Sequence, residues 1–113
     1  MKIVEITFND IIQSPQDCSE LLDNVCSERQ QPYKVVGCVS NNDALFVTLE
    51  PGTTKYKYRV AQFPSAATAE IIAEVASRYA AGFSTIGSFI IDKKSWGLFA
   101  KLTSPEGAQQ TNE

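Results

Sequence analysis

The chain has 113 residues, of which 43% are hydrophobic and 20% charged, and its formal net charge is −3 at pH 7. This size and composition indicate one globular domain with its own core, and the acidic balance argues against nucleic acid as a partner. The sequence contains no histidine, which excludes His-based acid–base catalysis, His-containing triads and His-ligated metals.

The hydropathy of the chain and its cysteine count indicate the cellular compartment of the protein. No apolar run approaches the roughly 18 residues of a membrane span, and the first residues lack the apolar core of a signal peptide. The cysteine count is 3, an odd number that fits a reduced cytoplasm. Cys18 and Cys26 lie about 12 Å apart in one predicted helix, too far for a disulfide. We therefore expect a cytoplasmic protein with buried, reduced cysteines.

The first half begins with a strand and a helix. From Lys2 to Phe8 the side chains alternate so that Val4, Ile6 and Phe8 share one face, which is typical of a strand with one face in a core. Ser14 and Pro15 form a helix start, because serine accepts hydrogen bonds as an N-cap and proline fits the first turn. The apolar stripe of the predicted helix consists of Cys18, Leu21, Leu22, Val25 and Cys26.

Two hairpins and a second helix complete the chain. The first hairpin is predicted from Tyr33–Val39 and Ala44–Leu49, which flank the turn residues 41–43. After a connector at 50–53, a strand follows at 56–60, and Pro64 opens a helix. The second hairpin is formed by Phe83–Ile91 and Trp96–Leu102. The apolar face of the second helix, predicted to lie in the core, consists of Ile71, Ile72, Val75, Ala76 and Tyr79.

The element order therefore occurs twice, and the two halves align without gaps at an offset of 50 from Glu20 to Val39. The identical pairs are Glu20 and Glu70, Val25 and Val75, Ser27 and Ser77, and Gly37 and Gly87. We predict a tandem βαββ repeat, residues 1–50 and 54–102, within a single domain 1–102. A flexible polar tail is predicted for 103–113. Because glycine weakens strands, Gly37 and Gly87 indicate a bulge or a close backbone approach.

The fold class that follows is α+β. We expect a mostly antiparallel sheet of about six strands with two helices on one face, a two-layer sandwich related to ferredoxin-like folds, with two sheets packed together as the alternative. Apolar residues on the other sheet face, Ile3 and Phe63 among them, favour contact with a second chain. The apolar run Phe83–Ile91 predicts either a central strand or a dimer contact.

The second half resembles a small bacterial domain family of unknown function. The resemblance rests on Tyr56-Lys57-Tyr58-Arg59-Val60, on Gly82-Phe83 where the family usually has Gly-Trp, and on the hairpin strand 96–102. It implies a fold and no activity. The element order is also similar to that of dodecins, which bind flavin, but no flavin signature is present and we expect no cofactor.

Candidate binding residues are few. Lys55, Lys57 and Arg59 place three cations on one strand face, with Lys93 and Lys94 expected nearby, and such a stripe fits an anionic ligand or a solvated strand face. Tyr58 and Trp96 are further candidates for ligand or partner contact, and Trp96 is expected to be partly exposed. Residues 1–50 carry 8 acids and 3 bases (net −5) and residues 51–113 carry 5 acids and 7 bases (net +2). This difference favours contact between complementary surfaces.

Three functions are consistent with these features. The leading hypothesis is a non-enzymatic binding or regulatory module that forms a homodimer through its sheet surface. The second is a small enzyme with a His-free site between the repeats that uses tyrosine or a carboxylate. The third is an anion-binding module that uses Lys55, Lys57 and Arg59. No motif identifies a catalytic residue or a metal ligand.

Overall fold

A computed structural model describes residues 1–103, so the predicted tail 103–113 lies outside the described residues apart from Thr103. The chain contains six strands and three helices. In order they are β1 (Lys2–Thr7), α1 (Phe8–Gln13), α2 (Pro15–Cys26), β2 (Tyr33–Ser40), β3 (Ala44–Pro51), β4 (Tyr56–Gln62), α3 (Thr68–Ala80), β5 (Phe83–Ile91) and β6 (Lys94–Leu102).

The helix boundaries follow from local capping. The side chain of Ser14 accepts a hydrogen bond from the Asp17 N–H at 3.3 Å and Pro15 is the first residue of α2, as predicted. Helix α1 was not predicted. The strand expected to reach Phe8 ends at Thr7, whose hydroxyl accepts from the Asp10 N–H at 3.2 Å. Helix α3 begins later than predicted, at Thr68, and has no side-chain cap.

The six antiparallel strands of the predicted α+β class divide into two sheets. Sheet A has the order β1-β3-β2 and sheet B the order β4-β6-β5. In each sheet the last strand in sequence lies between the other two and pairs antiparallel with both. Of the two arrangements considered from the sequence, the structure therefore has two sheets rather than one. Strand β5 is an edge strand, so the expectation of a central strand at 83–91 is wrong.

Gly37 and Gly87 both lie at bulges, one of the two alternatives predicted for them. The register shifts between Val35 and Gly37 in sheet A and between Thr85 and Gly87 in sheet B. The halves thus share their strand order and the position of the bulge. Their origin by duplication stays a prediction, because no comparison tests it.

The sheets pack on a common core together with α2. Its side chains come from sheet A (Ile6, Val35, Leu45, Val47, Leu49), from sheet B (Tyr58, Val60, Leu98, Ala100) and from α2 (Cys18, Leu22, Cys26). Helix α3 instead covers the outer face of sheet B through Ile71 and Val75, over Phe63, Phe83 and Phe99. The helices therefore do not share one face, and Phe63, expected on an uncovered face, is buried beneath α3. Among residues 1–103 no helix has the length and apolar character needed to cross a membrane.

Candidate functional site

Helix α2 of the first half covers the free edge of β4 in the second half. The Ser19 hydroxyl accepts a hydrogen bond from the Val60 N–H at 2.9 Å, and a carboxylate oxygen of Asp23 accepts from the Tyr58 N–H at 2.7 Å. These side chains replace the ladder partner that an edge strand lacks. The acidic helix therefore lies along the basic strand, and a groove of about 430 Å³ between them is lined by Asp23 and Arg59 among others.

The position of Asp23 changes its titration. Burial raises the pKa of the Asp23 carboxyl above its ordinary value of 3.8, while the hydrogen bond from the Tyr58 N–H and the charges of Lys57 and Arg59 lower it in part. Because the pKa is raised in the folded state, the folded chain binds a proton more readily than the unfolded chain. The contribution of this group to stability is therefore present below about pH 3.8 and is lost as the pH rises through the folded-state pKa.

Replacing Asp23 with asparagine should remove this pH dependence, since an amide oxygen still accepts from the Tyr58 N–H but does not titrate. We expect the free energy of unfolding of the wild type, relative to Asp23→Asn, to fall as the pH rises above about 4. Asp23→Ala, which leaves that N–H without its partner, should be about 1–2 kcal/mol less stable than Asp23→Asn at all pH values. Urea denaturation of the three proteins between pH 3 and pH 7 measures both effects. A wild-type curve parallel to that of Asp23→Asn would contradict the assignment.

The predicted site residues do not meet in one place. Tyr58 is fully buried, and its hydroxyl accepts a hydrogen bond from the Val35 N–H of sheet A at 3.0 Å. Burial raises the pKa of Tyr58, and burial likewise raises the pKa of the adjacent Cys26 thiol to about 11. Tyr58 therefore joins the two sheets through a buried hydrogen bond.

Two aromatic residues have the opposite exposure from that predicted. Trp96 is only 6% exposed, because its ring stacks on Phe89 with 6.2 Å between centroids. Tyr79 is 72% exposed, although it follows Ile71 and Val75 at i+4 spacing, because the contact of α3 with sheet B continues through Arg78, whose guanidinium lies over the ring of Phe99. Trp96 is thus a core residue and Tyr79 a surface residue.

The cations lie on the outer side of sheet B, and the structure adds a fourth to the predicted three. Lys55, Lys57 and Arg59 are exposed, and Lys57 lies directly opposite Lys101 of β6. Arg59 and Lys101 both lie over the ring of Phe83, at 5.1 and 5.7 Å from its centroid. We call Lys57, Arg59 and Lys101 the basic cluster, and Lys55, which precedes β4, is not counted in it. The sequence did not indicate Lys101, because the register that places it opposite Lys57 is seen only in the pairing of β4 with β6.

Lys93 and Lys94 do not belong to this cluster, contrary to expectation. They occupy the turn between β5 and β6, at the opposite end of the sheet. Lys94 and Lys101 are seven positions apart on β6, a distance of about 23 Å. The predicted basic residues therefore lie in two separate places, at opposite ends of sheet B.

The outer face of sheet A is uncovered within residues 1–103. In the register, Ile3 and Gly37 lie opposite Thr48, while Glu5 and Val39 lie opposite Phe46, so all of these belong to one face. Val39 is 65% exposed, and the other exposed apolar residues of the face are Ile3 and Val36. Sheet B has α3 on the corresponding face, and no described element takes that place on sheet A.

A groove of about 710 Å³ lies at the seam between the halves. Strands β2 and β5 lie side by side without a ladder, and they approach closely at Gly87, where an added Cβ would lie 2.6 Å from the Cys38 Sγ. Beyond this point β2 ends at Ser40 and β5 continues, which opens the groove towards α1. The rings of Phe8 and Phe89 stack at its base with 6.0 Å between centroids. The sequence did not indicate this groove, because one of its walls is the unpredicted helix α1.

Comparison with known proteins adds no constraint: no family model, no curated protein and no solved structure matches the chain. The resemblance to the small bacterial domain family therefore stays a prediction.

Proposed function

We propose that the chain is a non-enzymatic binding module of the cytoplasm that forms a homodimer through the outer face of sheet A. The observation that carries the proposal is the contrast between the two sheets. The outer face of sheet B is covered by α3, whereas the same face of sheet A presents Ile3, Val36 and Val39 to solvent. Apolar side chains grouped on one sheet face favour contact with another surface of the same character.

A second copy of the chain is the occupant that fits this face. An isologous contact buries the same surface of both protomers, so Val39 and Phe46 of each protomer would lie in the interface. Glu5 lies in the same row as Phe46 and Val39, but on the edge strand β1, and Lys34 is already paired with Glu50 at 3.6 Å. A contact centred on β2 and β3 therefore has Glu5 at its border and requires no buried, unpaired charge.

The area of the face sets the strength of the dimer. Three strands of about six to eight residues form a face of roughly 300 Å² in projection. A stable interface usually buries about 800 Å² on each partner. We therefore expect a weak dimer, which forms at protein concentrations in the upper micromolar range.

Replacing Val39 with lysine should abolish the dimer. The substitution places two charges in a symmetric contact and is expected to weaken association at least tenfold, while the exposure of Val39 limits the change in stability to about 0.5 kcal/mol. Sedimentation equilibrium at several concentrations measures the association. Ile72→Lys on α3 is the matched control, because Ile72 is 63% exposed and lies away from sheet A. A wild type that remains monomeric, or equal effects of the two variants, would refute the proposal.

A second candidate function, anion binding, is favoured by the basic cluster. Like charges directly opposite each other destabilise a sheet, yet Lys57 faces Lys101. A bound anion would offset this repulsion. The ring of Phe83 lies beneath Arg59 and Lys101, so the sides of these two cations that face away from the ring are directed towards solvent.

Binding to heparin tests this second function. We expect the affinity to decrease steeply with salt concentration and to fall severalfold on Lys101→Gln. Lys94→Gln, which removes the same charge from the other end of the same strand, serves as the control. Affinity that does not change with salt, or equal losses in both variants, would rule out the basic cluster as an anion site.

The enzyme hypothesis receives less support from the geometry. Tyr58 is buried, and its hydroxyl accepts a hydrogen bond from the Val35 N–H. Burial raises the pKa of Tyr58, so this hydroxyl is less suited to proton transfer near neutral pH.

A further inference from the structure

The groove at the seam combines an apolar base with a strand edge. Three segments line it: α1, which presents Ile12, the end of β2 with the turn after it (residues 40–42), and the last part of β5 (residues 88–91). Ile12 and Ile90 are large apolar side chains with more than half of their surface exposed, and Ile90 is 64% exposed. This arrangement of a helix beside an open strand edge is suited to an extended segment.

The main chain of β5 has free hydrogen-bonding groups in this groove. The hairpin turn has two residues, Asp92 and Lys93, with φ of 54° and 68°, so Ile91 and Lys94 form the hydrogen-bonded pair that closes it. Hydrogen-bonded pairs alternate along an antiparallel ladder, so Ser88 and Ile90 direct their N–H and C=O groups away from β6. Within residues 1–103 no hydrogen bond satisfies these groups on that side.

Charge and shape restrict the occupant further. Asp92 is the one charged residue among those that line the groove, and its φ of 54° is the value that a two-residue hairpin turn requires. Residues 88–92 span about 13 Å, which is the length of four or five extended residues.

We propose that this groove binds an extended peptide of a partner protein as an additional strand on β5. The peptide pairs with the main chain of Ser88 and Ile90, places apolar side chains at alternate positions over the Phe8–Phe89 base and against Ile12, and carries a lysine or arginine beside Asp92. Repeated donors and acceptors two residues apart favour a polypeptide over a small molecule, since a second main chain offers the same spacing. The site is separate from the outer face of sheet A and from the basic cluster.

The experiment is selection of a phage-displayed library of random nonapeptides on the immobilised full chain, followed by fluorescence anisotropy with the enriched peptides. We expect alternating apolar residues and a basic residue in the enriched sequences. Their affinity should fall at least tenfold on Ile90→Lys and severalfold on Asp92→Asn, and should not change on Ile72→Lys, whose exposure matches that of Ile90. Methylation of the peptide's backbone nitrogens should abolish binding at alternate positions only.

Hydrogen exchange supplies a readout that needs no selected peptide. The amides of Ser88 and Ile90 should exchange fast in the free protein, and those of Phe89 and Ile91 slowly. In the complex all four should be protected. The proposal is overturned if no peptide is enriched, if the enriched peptides bind Ile90→Lys as well as they bind the wild type, or if N-methylation has no alternating effect. Dissociation of a wild-type dimer by Ile90→Lys would also overturn it, because a second copy would then occupy the groove.

Discussion

Replacing Gly97 with alanine should lower the free energy of unfolding by about 2–3 kcal/mol, the cost of overpacking a closely packed core. Gly97 lies in β6 beneath α3, and a Cβ added there would lie 2.6 Å from the Cζ of Phe99 and 3.1 Å from the Cε2 of Phe63. The ring of Phe99 cannot move aside. The guanidinium of Arg78 lies 4.6 Å from its centroid, and Arg78 is itself fixed by an ion pair with Glu74 at 2.8 Å.

Gly37→Ala is the control for this prediction. Gly37 also lies in a strand, but the nearest atom to an added Cβ is the Oγ1 of Thr48 at 3.6 Å, which is ordinary van der Waals contact. We expect it to change the free energy of unfolding by no more than about 0.5 kcal/mol, since alanine also restricts the unfolded chain. Urea denaturation measures both variants. Equal effects would show that loss of strand glycine, and not the packing of Phe99, determines the outcome.

Tyr58→Phe should cost about 1–3 kcal/mol, although it removes a single oxygen atom. The hydroxyl of Tyr58 is the buried acceptor for the Val35 N–H, 3.0 Å away, and this bond joins sheet B to sheet A next to the bulge at 35–37. Without the hydroxyl, the Val35 N–H is buried and loses this partner, which carries a desolvation penalty. The amide of Val35 should also exchange faster with solvent.

Tyr56→Phe provides a matched comparison, because Tyr56 lies two residues earlier on the same strand with its ring 6.0 Å from that of Tyr58. Its hydroxyl takes part in no hydrogen bond among residues 1–103, and the expected cost is within about 0.5 kcal/mol. If both variants lose the same stability, or if the exchange of the Val35 amide is unchanged, the hydroxyl of Tyr58 does not join the sheets.

Local sequence features predicted most of the regular elements. The alternation in 56–60, the cap at Ser14 and the turn residues 41–43 act within a few residues, so they are visible without tertiary information. Helix α1 was missed because it has six residues, too few for a helical period to be recognised. In each half a crossover followed by a hairpin leaves few possible strand orders, and the observed order has the last strand in the middle.

The division into two sheets was not predictable in the same way. Whether β4 pairs with a strand or ends a sheet depends on what covers its edge, and here the side chains of Ser19 and Asp23 do so from nearly 40 residues away in sequence. The exposures of Trp96 and Tyr79 depend on tertiary packing too. Ile71, Val75 and Tyr79 follow one another at i+4 spacing, but in the last turn of α3 it is Arg78 that lies over the sheet.

The surfaces were predicted in part. The exposed cations Lys57 and Arg59 and the apolar Ile3 were identified from alternation alone, because alternation assigns each residue to a face. Alternation does not show which face another element covers, so the outer face of sheet A emerges only in the fold. The groove at the seam requires the ends of β2 and β5 to lie together, and no local pattern encodes that placement.

The most direct test of self-association through sheet A is a dilution series of ¹H–¹⁵N correlation spectra of the wild type, from about 20 µM to 1 mM, the range over which a weak interface of this size should form. The proposal predicts concentration-dependent shifts confined to the outer face of sheet A, at Ile3, Val36, Val39 and Phe46, and their loss in Val39→Lys. Spectra that do not change with concentration, or shifts confined to sheet B, would contradict it.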